Sequence, residues 1–174
     1  MRCVVDRGSS RPWLRRLLCA GAIGWAALIP SAALAAGRAS GAPVVGLLAA
    51  LPYAVGAVIC HQQAVRSFAL WSQQLPVCAR CTGIYVGAAI AALLSLFGVA
   101  RGVQPRDRGP ERAARQLNAK GTFLLVAALP TAVTLAYEWS TSTTPSNVVR
   151  AIAGFPLGAA VAWVILSTAG DQVN

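Results

Sequence analysis

Residues 76–100 are PVCARCTGIYVGAAIAALLSLFGVA, in which the C-x-x-C pair Cys78 and Cys81 stands directly before a long apolar run. Eighteen residues before Cys78, a second apolar run ends at Cys60-His61, and His61 is the single histidine of the chain. About 20 apolar residues are enough for a helix to cross the hydrocarbon core of a bilayer. The pattern therefore predicts membrane helices whose ends carry cysteine and histidine chemistry.

The composition supports a membrane protein. The chain has 174 residues, of which 56% are hydrophobic and 11% are charged, whereas ordinary soluble domains have about 25% charged residues. Five apolar windows approach the length of a membrane span: Leu17–Ala36, Pro43–Cys60, Thr82–Ala100, Gly121–Trp139 and Val148–Ala169. We therefore predict an all-α polytopic transmembrane bundle with four to five spans.

The N-terminal region resembles either a signal peptide or a membrane anchor. Residues 1–42 contain a basic segment, an apolar run and the A-x-A-like sequence Ala33-Leu34-Ala35, which is typical of a cleavage site. Because the run is long for a signal peptide and further spans follow, we favour an uncleaved anchor. We expect residues 43–174 to form the helical membrane domain, with a Cys/His loop at residues 61–81.

The net charge of +10 comes mainly from the segments that flank the spans. Residues 1–16 contain five arginines, and residues 101–120 contain six cations. This distribution is typical of orientation in the membrane and contact with anionic lipids, so we expect the lipid bilayer as a partner and no nucleic acid. We expect a multi-pass protein of a bacterial inner (plasma) membrane.

With five spans, however, the two basic segments fall on opposite sides of the membrane, while both favour the cytoplasm. Either the first apolar window does not cross, or one basic segment is translocated. We favour a cytoplasmic 101–120 segment and a cysteine loop that faces outward.

The cysteines and the histidine predict a metal site. Thiolate and imidazole are preferred ligands of zinc, and the C-x-x-C spacing lets two sulfurs converge on one ion. We predict a Cys₃His zinc site formed by Cys60, His61, Cys78 and Cys81. Adjacent helical residues point about 100° apart, so Cys60 and His61 can share an ion only where the helix ends or unwinds.

Two alternatives to a metal site remain open. Cys78 and Cys81 could cycle between dithiol and disulfide, with Cys60 as a partner thiol, or the thiols could be packed without function. Arg80, between the two cysteines, is expected to lower their pKa values in either functional case. Cys19 lies within an apolar run, where a cysteine is most often a small buried hydrophobe.

Several motifs resemble a known family. The quoted segments are Cys60-His61-Gln62, Arg66-Ser67-Phe68, the stretch from Pro76 to Gly87, and Ser146–Arg150 followed by Gly154 and Gly158. Together they resemble the prokaryotic predicted-membrane-protein family known as domain of unknown function 2085. The resemblance covers about Cys60 to Gly158 and points to Arg66, Tyr85 and Asn147 as supporting residues. It implies no biochemical activity.

Charged and small residues in the spans suggest helix contacts. Glu138 and Arg150 are expected to pair across the uncharged segment 140–147, with Asn147 completing the pair; such groups are either functional or a clamp at the membrane surface. Gly83-x-x-x-Gly87 and Gly154-x-x-x-Gly158 allow close helix packing. We favour packing inside the monomer over a homo-oligomer formed through these faces.

The sequence gives little support for an enzyme. It contains no G-x-S-x-G, P-loop or H-E-x-x-H motif. We therefore favour a non-enzymatic integral membrane protein with a zinc site at the membrane interface. The alternatives are a membrane thiol–disulfide oxidoreductase that uses Cys78 and Cys81, and a small transporter component lined by Glu138 and Arg150. The transporter is disfavoured because the chain is short and lacks an inverted repeat.

Overall fold

The computed structural model describes residues 12–38, 43–98 and 110–171. Five helices and one small hairpin follow one another along the chain. They are α1 (Pro12–Arg38), α2 (Pro43–Ile59), a 3₁₀ turn (Ala64–Arg66), β1 (Ala69–Leu70), β2 (Gln73–Gln74), α3 (Ala79–Leu96), α4 (Pro110–Thr141) and α5 (Asn147–Asp171). The prediction of an all-α helical bundle is confirmed.

Helices α3 and α5 form the central pair, with α1 packed on α3 and α4 packed on α5. Glycines set the distance between the central helices. A Cβ atom added at Gly83 or Gly87 would overlap backbone atoms of α5, and one added at Gly154 or Gly158 would overlap the carbonyl oxygens of Arg80 or Ile84. The two small-residue faces therefore pack against each other within the chain, as expected.

Helix α1 runs antiparallel to α3 along its whole length. At one end Arg15 donates a hydrogen bond to Ser95 Oγ, and further along Trp25 makes an edge-on contact with Tyr85 at a centroid distance of 5.9 Å. The other end of α1 packs Ile29 against the segment before α3, where Val77 is fully buried. The predicted anchor helix is thus part of the same core as the remaining helices.

Helix α4 is antiparallel to α5. The rings of Phe123 and Trp163 are 5.3 Å apart near one end, and Thr131 donates a hydrogen bond to the Ala153 carbonyl near the middle. Much of its apolar surface is exposed; Leu125, for example, is 70% exposed. Four helices are long and apolar enough to cross a membrane, namely α1, α3, α4 and α5. The exposed apolar side chains of α4 are therefore suited to contact lipid.

The four long helices define two ends of the bundle. We call the end where α1 and α4 finish and α3 and α5 begin the site end, and the opposite end the basic end. The segment 101–120 includes the chain between α3 and α4 and the first turns of α4, and α4 begins at the basic end, where α1 also begins. Both basic segments of the sequence, which together have eleven of the 15 lysines and arginines, therefore adjoin helix ends on the same side of the bundle.

The second apolar window forms a shorter helix, α2, which does not connect the two ends. Gly46 near its beginning shares a cavity of about 420 Å³ with Ala36 of α1 and Gln73 of the hairpin. Near the end of α2, Gly56 faces the Pro76 carbonyl. Because both ends of α2 border the site end, the chain has four candidate spans, and the conflict between the two basic segments disappears. We expected either that the first window does not cross or that one basic segment is translocated, whereas the structure keeps the second window at one end.

The loop before α3 folds back onto the bundle. Its strands pair Ala69 with Gln74 and Leu70 with Gln73, and the central residues Trp71 and Ser72 both have positive φ, as in a type I′ turn. Asn-Gly is the usual signal for such a turn, so the sequence gives no indication of the hairpin.

Candidate metal and thiol site

Three of the four predicted ligands meet at the site end. The Sγ atoms of Cys60, Cys78 and Cys81 all lie within 4.8 Å of one another, and each residue is half-buried. All three are free thiols, and so is Cys19, which is buried between α1, α3 and α5 as expected. We call Cys60, Cys78 and Cys81 the cysteine cluster.

His61 lies outside this cluster. Its side chain is exposed, and its ring nitrogens do not belong to the group of ligand atoms that converges on the three sulfurs. The physical reason is local geometry: α2 ends at Ile59, and the chain turns through Gln62 with a φ of 45°. This turn directs Cys60 toward α3 and His61 away from it.

Cys60 is held by backbone contacts at both sides. Its N–H donates to the Gly56 carbonyl at 2.8 Å and so continues the last turn of α2. Its Sγ accepts a hydrogen bond from the Cys78 N–H at 3.2 Å.

Two glutamine side chains fix the loop that follows Cys60. Gln62 Nε2 donates to the Tyr53 carbonyl at 2.8 Å and to the Pro76 carbonyl at 2.7 Å, and Gln74 Nε2 donates to the Gln62 carbonyl at 2.6 Å. These bonds connect α2, the hairpin and the approach to Cys78. Sequence analysis did not identify this role, because the acceptors are backbone carbonyls and leave no residue pattern.

Cys78 is the N-cap residue of α3, and its carbonyl accepts the N–H of Thr82 at 2.9 Å. The pKa of the Cys78 thiol is lowered well below its ordinary value. The main cause is a hydrogen bond from the Cys81 thiol; the Cys60 thiol and the positive charge of Arg150 act in the same direction, and burial opposes them. The arrangement favours the thiolate form of Cys78 at a helix N-terminus.

A buried ionic group lies beside the cysteine cluster. Glu138 Oε1 is 2.8 Å from Arg80 Nη2 and 3.0 Å from Arg150 Nε, and Glu138 Oε2 is 3.8 Å from Arg66 Nη1. The exposed fraction is only 7% for Glu138 and 2% for Arg150. We call these four residues the arginine–glutamate cluster. The predicted contact between Glu138 and Arg150 is present, and two further arginines join it.

The contacts of the Nε atoms in this cluster are incomplete. Arg150 Nε is close enough to Glu138 for an ion pair, but the geometry is not that of a hydrogen bond, and Arg80 Nε also lacks an acceptor. Arg80 instead uses Nη2, which contacts Glu138 and Thr134 Oγ1. Thr134, the neutral partner of Arg80, lies one turn before Glu138 on α4.

Other supporting residues take different roles from those expected. Arg80 points to Glu138, and Arg150 is the arginine whose charge favours the Cys78 thiolate. Asn147 does not complete the ion pair: its Nδ2 donates to the Ser67 carbonyl at 3.0 Å and so attaches the loop to α5. Tyr85 packs against Trp25 next to Cys81.

Comparisons with known proteins give relatives without a described activity. An uncharacterized protein of Methanocaldococcus jannaschii is 31% identical over 116 residues, which are 66% of this chain and 65% of that protein. An uncharacterized protein of Methanothermobacter thermautotrophicus is 53% identical over 30 residues, which are 17% of this chain and 27% of that protein. The chain thus matches less than two thirds of the length of either relative.

Both relatives are archaeal, so the comparisons support a membrane protein of prokaryotic type without assigning it to bacteria. No solved structure matches the chain. The family described as "Predicted membrane protein (DUF2085)" matches residues 60–164, a segment that begins at Cys60 and contains both the cysteine cluster and the arginine–glutamate cluster. The chain belongs to this family of predicted membrane proteins.

Proposed function

We propose that this integral membrane protein binds one metal ion, most suitably zinc, through Cys60, Cys78 and Cys81 at the membrane interface. The observation that carries the proposal is the convergence of three sulfurs from two separate segments within 4.8 Å. A redox pair needs only two sulfurs, and the packing of thiols without function does not require three of them to converge. The metal would join the end of α2 and its loop to the start of α3.

The spacing of the sulfurs fits a zinc–thiolate centre. Zinc–sulfur bonds of about 2.3 Å in a tetrahedron place the sulfurs about 3.8 Å apart. The three Sγ atoms therefore reach this spacing with movements of about 1 Å or less. Metal binding requires the thiolate form, and the lowered pKa of the Cys78 thiol favours that form at one ligand.

The fourth position of a tetrahedral zinc ion would be filled from outside the cysteine cluster. We propose that His61 is the protein candidate, since it is adjacent to Cys60, but a change of backbone conformation at Gln62 would be needed to direct it inward. Without this change, water or a small ligand would complete the site. Half-buried ligands and such a fourth position are typical of an exchangeable metal.

Elemental analysis of the purified protein tests the proposal. We expect about one zinc per chain, and substitution of Cys60, Cys78 or Cys81 by Ser should remove it and lower the folded yield, because metal-binding energy contributes to folding. Cys19→Ser is the matched control and should retain the metal. A parent protein without metal, with unchanged stability in the three variants, would refute the site.

Substitution of His61 by Ala distinguishes the two forms of the fourth ligand. With Co²⁺ in place of zinc, loss of a nitrogen ligand changes the visible absorption bands of a tetrahedral site. Unchanged bands in His61→Ala would assign the fourth position to water or another ligand from solution. Cys60→Ser is the positive control and should alter the bands whether or not His61 is a ligand.

A second candidate function, thiol–disulfide exchange, is supported by one specific observation. Cys78 stands at the N-terminus of α3 with a lowered pKa, and Cys81 lies next to it. Catalytic thiols of C-x-x-C oxidoreductases have this arrangement. In this function, the Cys78 thiolate would attack a substrate disulfide, so that one substrate sulfur leaves as a thiolate and the other forms a mixed disulfide with Cys78. The deprotonated thiol of Cys81 or Cys60 would then attack Cys78 Sγ, form an intramolecular disulfide and release the second substrate sulfur as a thiolate.

The pH dependence of alkylation tests this candidate. A lowered pKa keeps Cys78 in the thiolate form at neutral pH, so its alkylation rate in metal-free protein should reach half of its maximum well below pH 8.5, the value for an ordinary thiol. The rate falls as the pH decreases through the lowered pKa. An oxidoreductase should also form a Cys78–Cys81 disulfide in a glutathione redox buffer, whereas persistent reduction together with tight zinc binding supports the metal site.

We also propose that the protein resides in a plasma membrane, with residues 1–42 retained as an anchor and the site facing outward. The support is that both basic segments adjoin one end of a four-helix bundle, and basic segments stay in the cytoplasm. In a cysteine-free background, Val44→Cys and Val58→Cys, at opposite ends of α2, should both react with a membrane-impermeant maleimide in intact cells. Leu117→Cys at the basic end should react only after lysis.

A further inference from the structure

The arginine–glutamate cluster has more positive than negative charge. Three guanidinium groups surround one carboxylate, so the cluster carries a net charge of +2 at the described positions. Arg150 and Glu138 are almost completely buried, and Arg80 is largely buried. Removing unbalanced charge from water is unfavourable unless opposite charge lies nearby.

Among the residues that the structure describes, Glu138 is the one carboxylate at the site end. The remaining acidic residues of the sequence are Asp6 before α1, Asp107 between α3 and α4, Glu111 at the start of α4 and Asp171 at the end of α5. All of these positions adjoin the basic end. The groups that can supply further negative charge next to the arginines are therefore the thiols of the cysteine cluster.

The packing of α3 on α5 brings the two clusters together. Gly154 of α5 contacts the Arg80 carbonyl on α3. Arg150 lies four residues before Gly154, on the same face of the helix, and thus faces the beginning of α3 where Cys78 is located. Arg80 itself stands between Cys78 and Cys81 in the first turn of α3.

We propose that the arginine–glutamate cluster stabilises the anionic complex of a divalent metal with three thiolates, and thereby sets the affinity of the cysteine cluster for metal. This inference rests on the proposed metal site. A divalent cation bound by three thiolates forms a complex of charge −1. That charge forms next to an excess of +2, which it partly neutralises. The arginines act as positioning and charge-compensating residues, without contacting the metal.

Three charge variants test the proposal because their expected effects differ in sign. Arg150→Met lowers the cluster charge to +1 and should weaken zinc binding. Glu138→Gln raises it to +3 and should strengthen zinc binding. Each effect should be on the order of tenfold to a hundredfold, as for a unit charge at about 7–10 Å with an effective dielectric constant of about 20. The double variant Arg150→Met/Glu138→Gln restores +2 and should bind zinc like the parent.

The measurement is competition for zinc between the full-length protein in detergent and a chromogenic chelator. Arg38→Met is the matched control, since Arg38 is an exposed arginine at the end of α1 outside the cluster. If Arg150→Met fails to fold, Arg150→Lys keeps the charge and should retain parent affinity, while Arg66→Met lowers the charge at a more exposed position and should weaken binding by less than Arg150→Met.

The outcomes separate this inference from the proposed function. A parent protein that binds no zinc refutes the metal site and the inference with it. If the parent binds about one zinc, the metal site stands. If the double variant then binds zinc as weakly as Arg150→Met, the charge-compensation role is overturned, because only a structural role of Arg150 predicts that result. Opposite signs for the two single variants and recovery in the double variant support the inference.

Discussion

The two sides of the cysteine cluster are held by regions that differ in packing. Cys78 and Cys81 belong to α3, whose backbone lies against α5 through Gly83, Gly87, Gly154 and Gly158. Cys60 belongs to the end of α2, where Val58 is 86% exposed and Ile59 is 49% exposed. One side of the site is thus part of the bundle core, while the other lies at its surface and is attached by hydrogen bonds and by the approach of Gly56 to the Pro76 carbonyl.

This difference indicates how a metal would act. The α3 side is preorganised, because close backbone packing leaves little room for movement. On the α2 side, Gly56 lies close to the Pro76 carbonyl, but the last residues of the helix are exposed. The third sulfur can therefore approach or leave the other two without disturbing the bundle. Metal binding is therefore expected to stabilise the position of α2 and its loop, and to change the bundle little. The following predictions test this contrast.

The largest effect is expected at the contact between α3 and α5. Gly158→Ala places a methyl group against the backbone of Ile84, so the helices must separate or distort, and we expect a loss of about 3 kcal/mol in the free energy of unfolding. Denaturation in mixed detergent micelles measures it. Gly21→Ala in α1 is the control: nothing lies within 4 Å of the added group, and alanine favours the helix by about 1 kcal/mol. Equal stability of the two variants would contradict the close packing.

An intermediate effect is expected at Gln62. Gln62→Ala removes the hydrogen bonds to the Tyr53 and Pro76 carbonyls, which are worth about 1–3 kcal/mol together. Because these bonds hold the α2 side, we expect weaker zinc binding with little change in the unfolding of the bundle. Gln63→Ala removes an exposed amide next to it and should leave both quantities unchanged. A decrease in bundle stability equal to that in zinc affinity would show that the two regions are not separate.

The contrast also explains which features were predictable from sequence. The spans of α1, α3, α4 and α5 follow from long apolar runs, and the grouping of Cys78 with Cys81 follows from their spacing. The path of α2 could not be predicted from the sequence, because its 17 residues are apolar enough for a span. Its contacts with Gln73 and Pro76 in the structure show that it remains at one end of the bundle.

The positions of individual side chains depended on long-range contacts. The pair of Glu138 and Arg150 was predictable because few charges occur near the spans. The addition of Arg66 and Arg80 was not, as it requires the packing of α3 and the loop against α4. His61 lies outside the cysteine cluster because of the left-handed backbone of Gln62, a conformation for which glutamine gives no sequence signal.

The smallest effect is expected at the hairpin turn. Ser72 has a φ of 62°, in the left-handed region where a side chain is disfavoured and glycine is not. Ser72→Gly should therefore stabilise the hairpin by about 0.5 kcal/mol after allowing for the greater freedom of glycine in the unfolded chain. Because the hairpin carries Gln74, whose amide holds the Gln62 carbonyl, a more stable turn should raise zinc affinity about twofold, as competition with a chelator would show.

Ser142→Gly relieves a similar φ of 54° in the segment between α4 and α5. That control should stabilise its own turn without changing zinc affinity, since Ser142 takes no part in the hydrogen bonds around Cys60. Equal zinc affinities in Ser72→Gly and Ser142→Gly would mean that the hairpin does not limit the position of Cys60, which would then be set by its own backbone contacts and by Gln62.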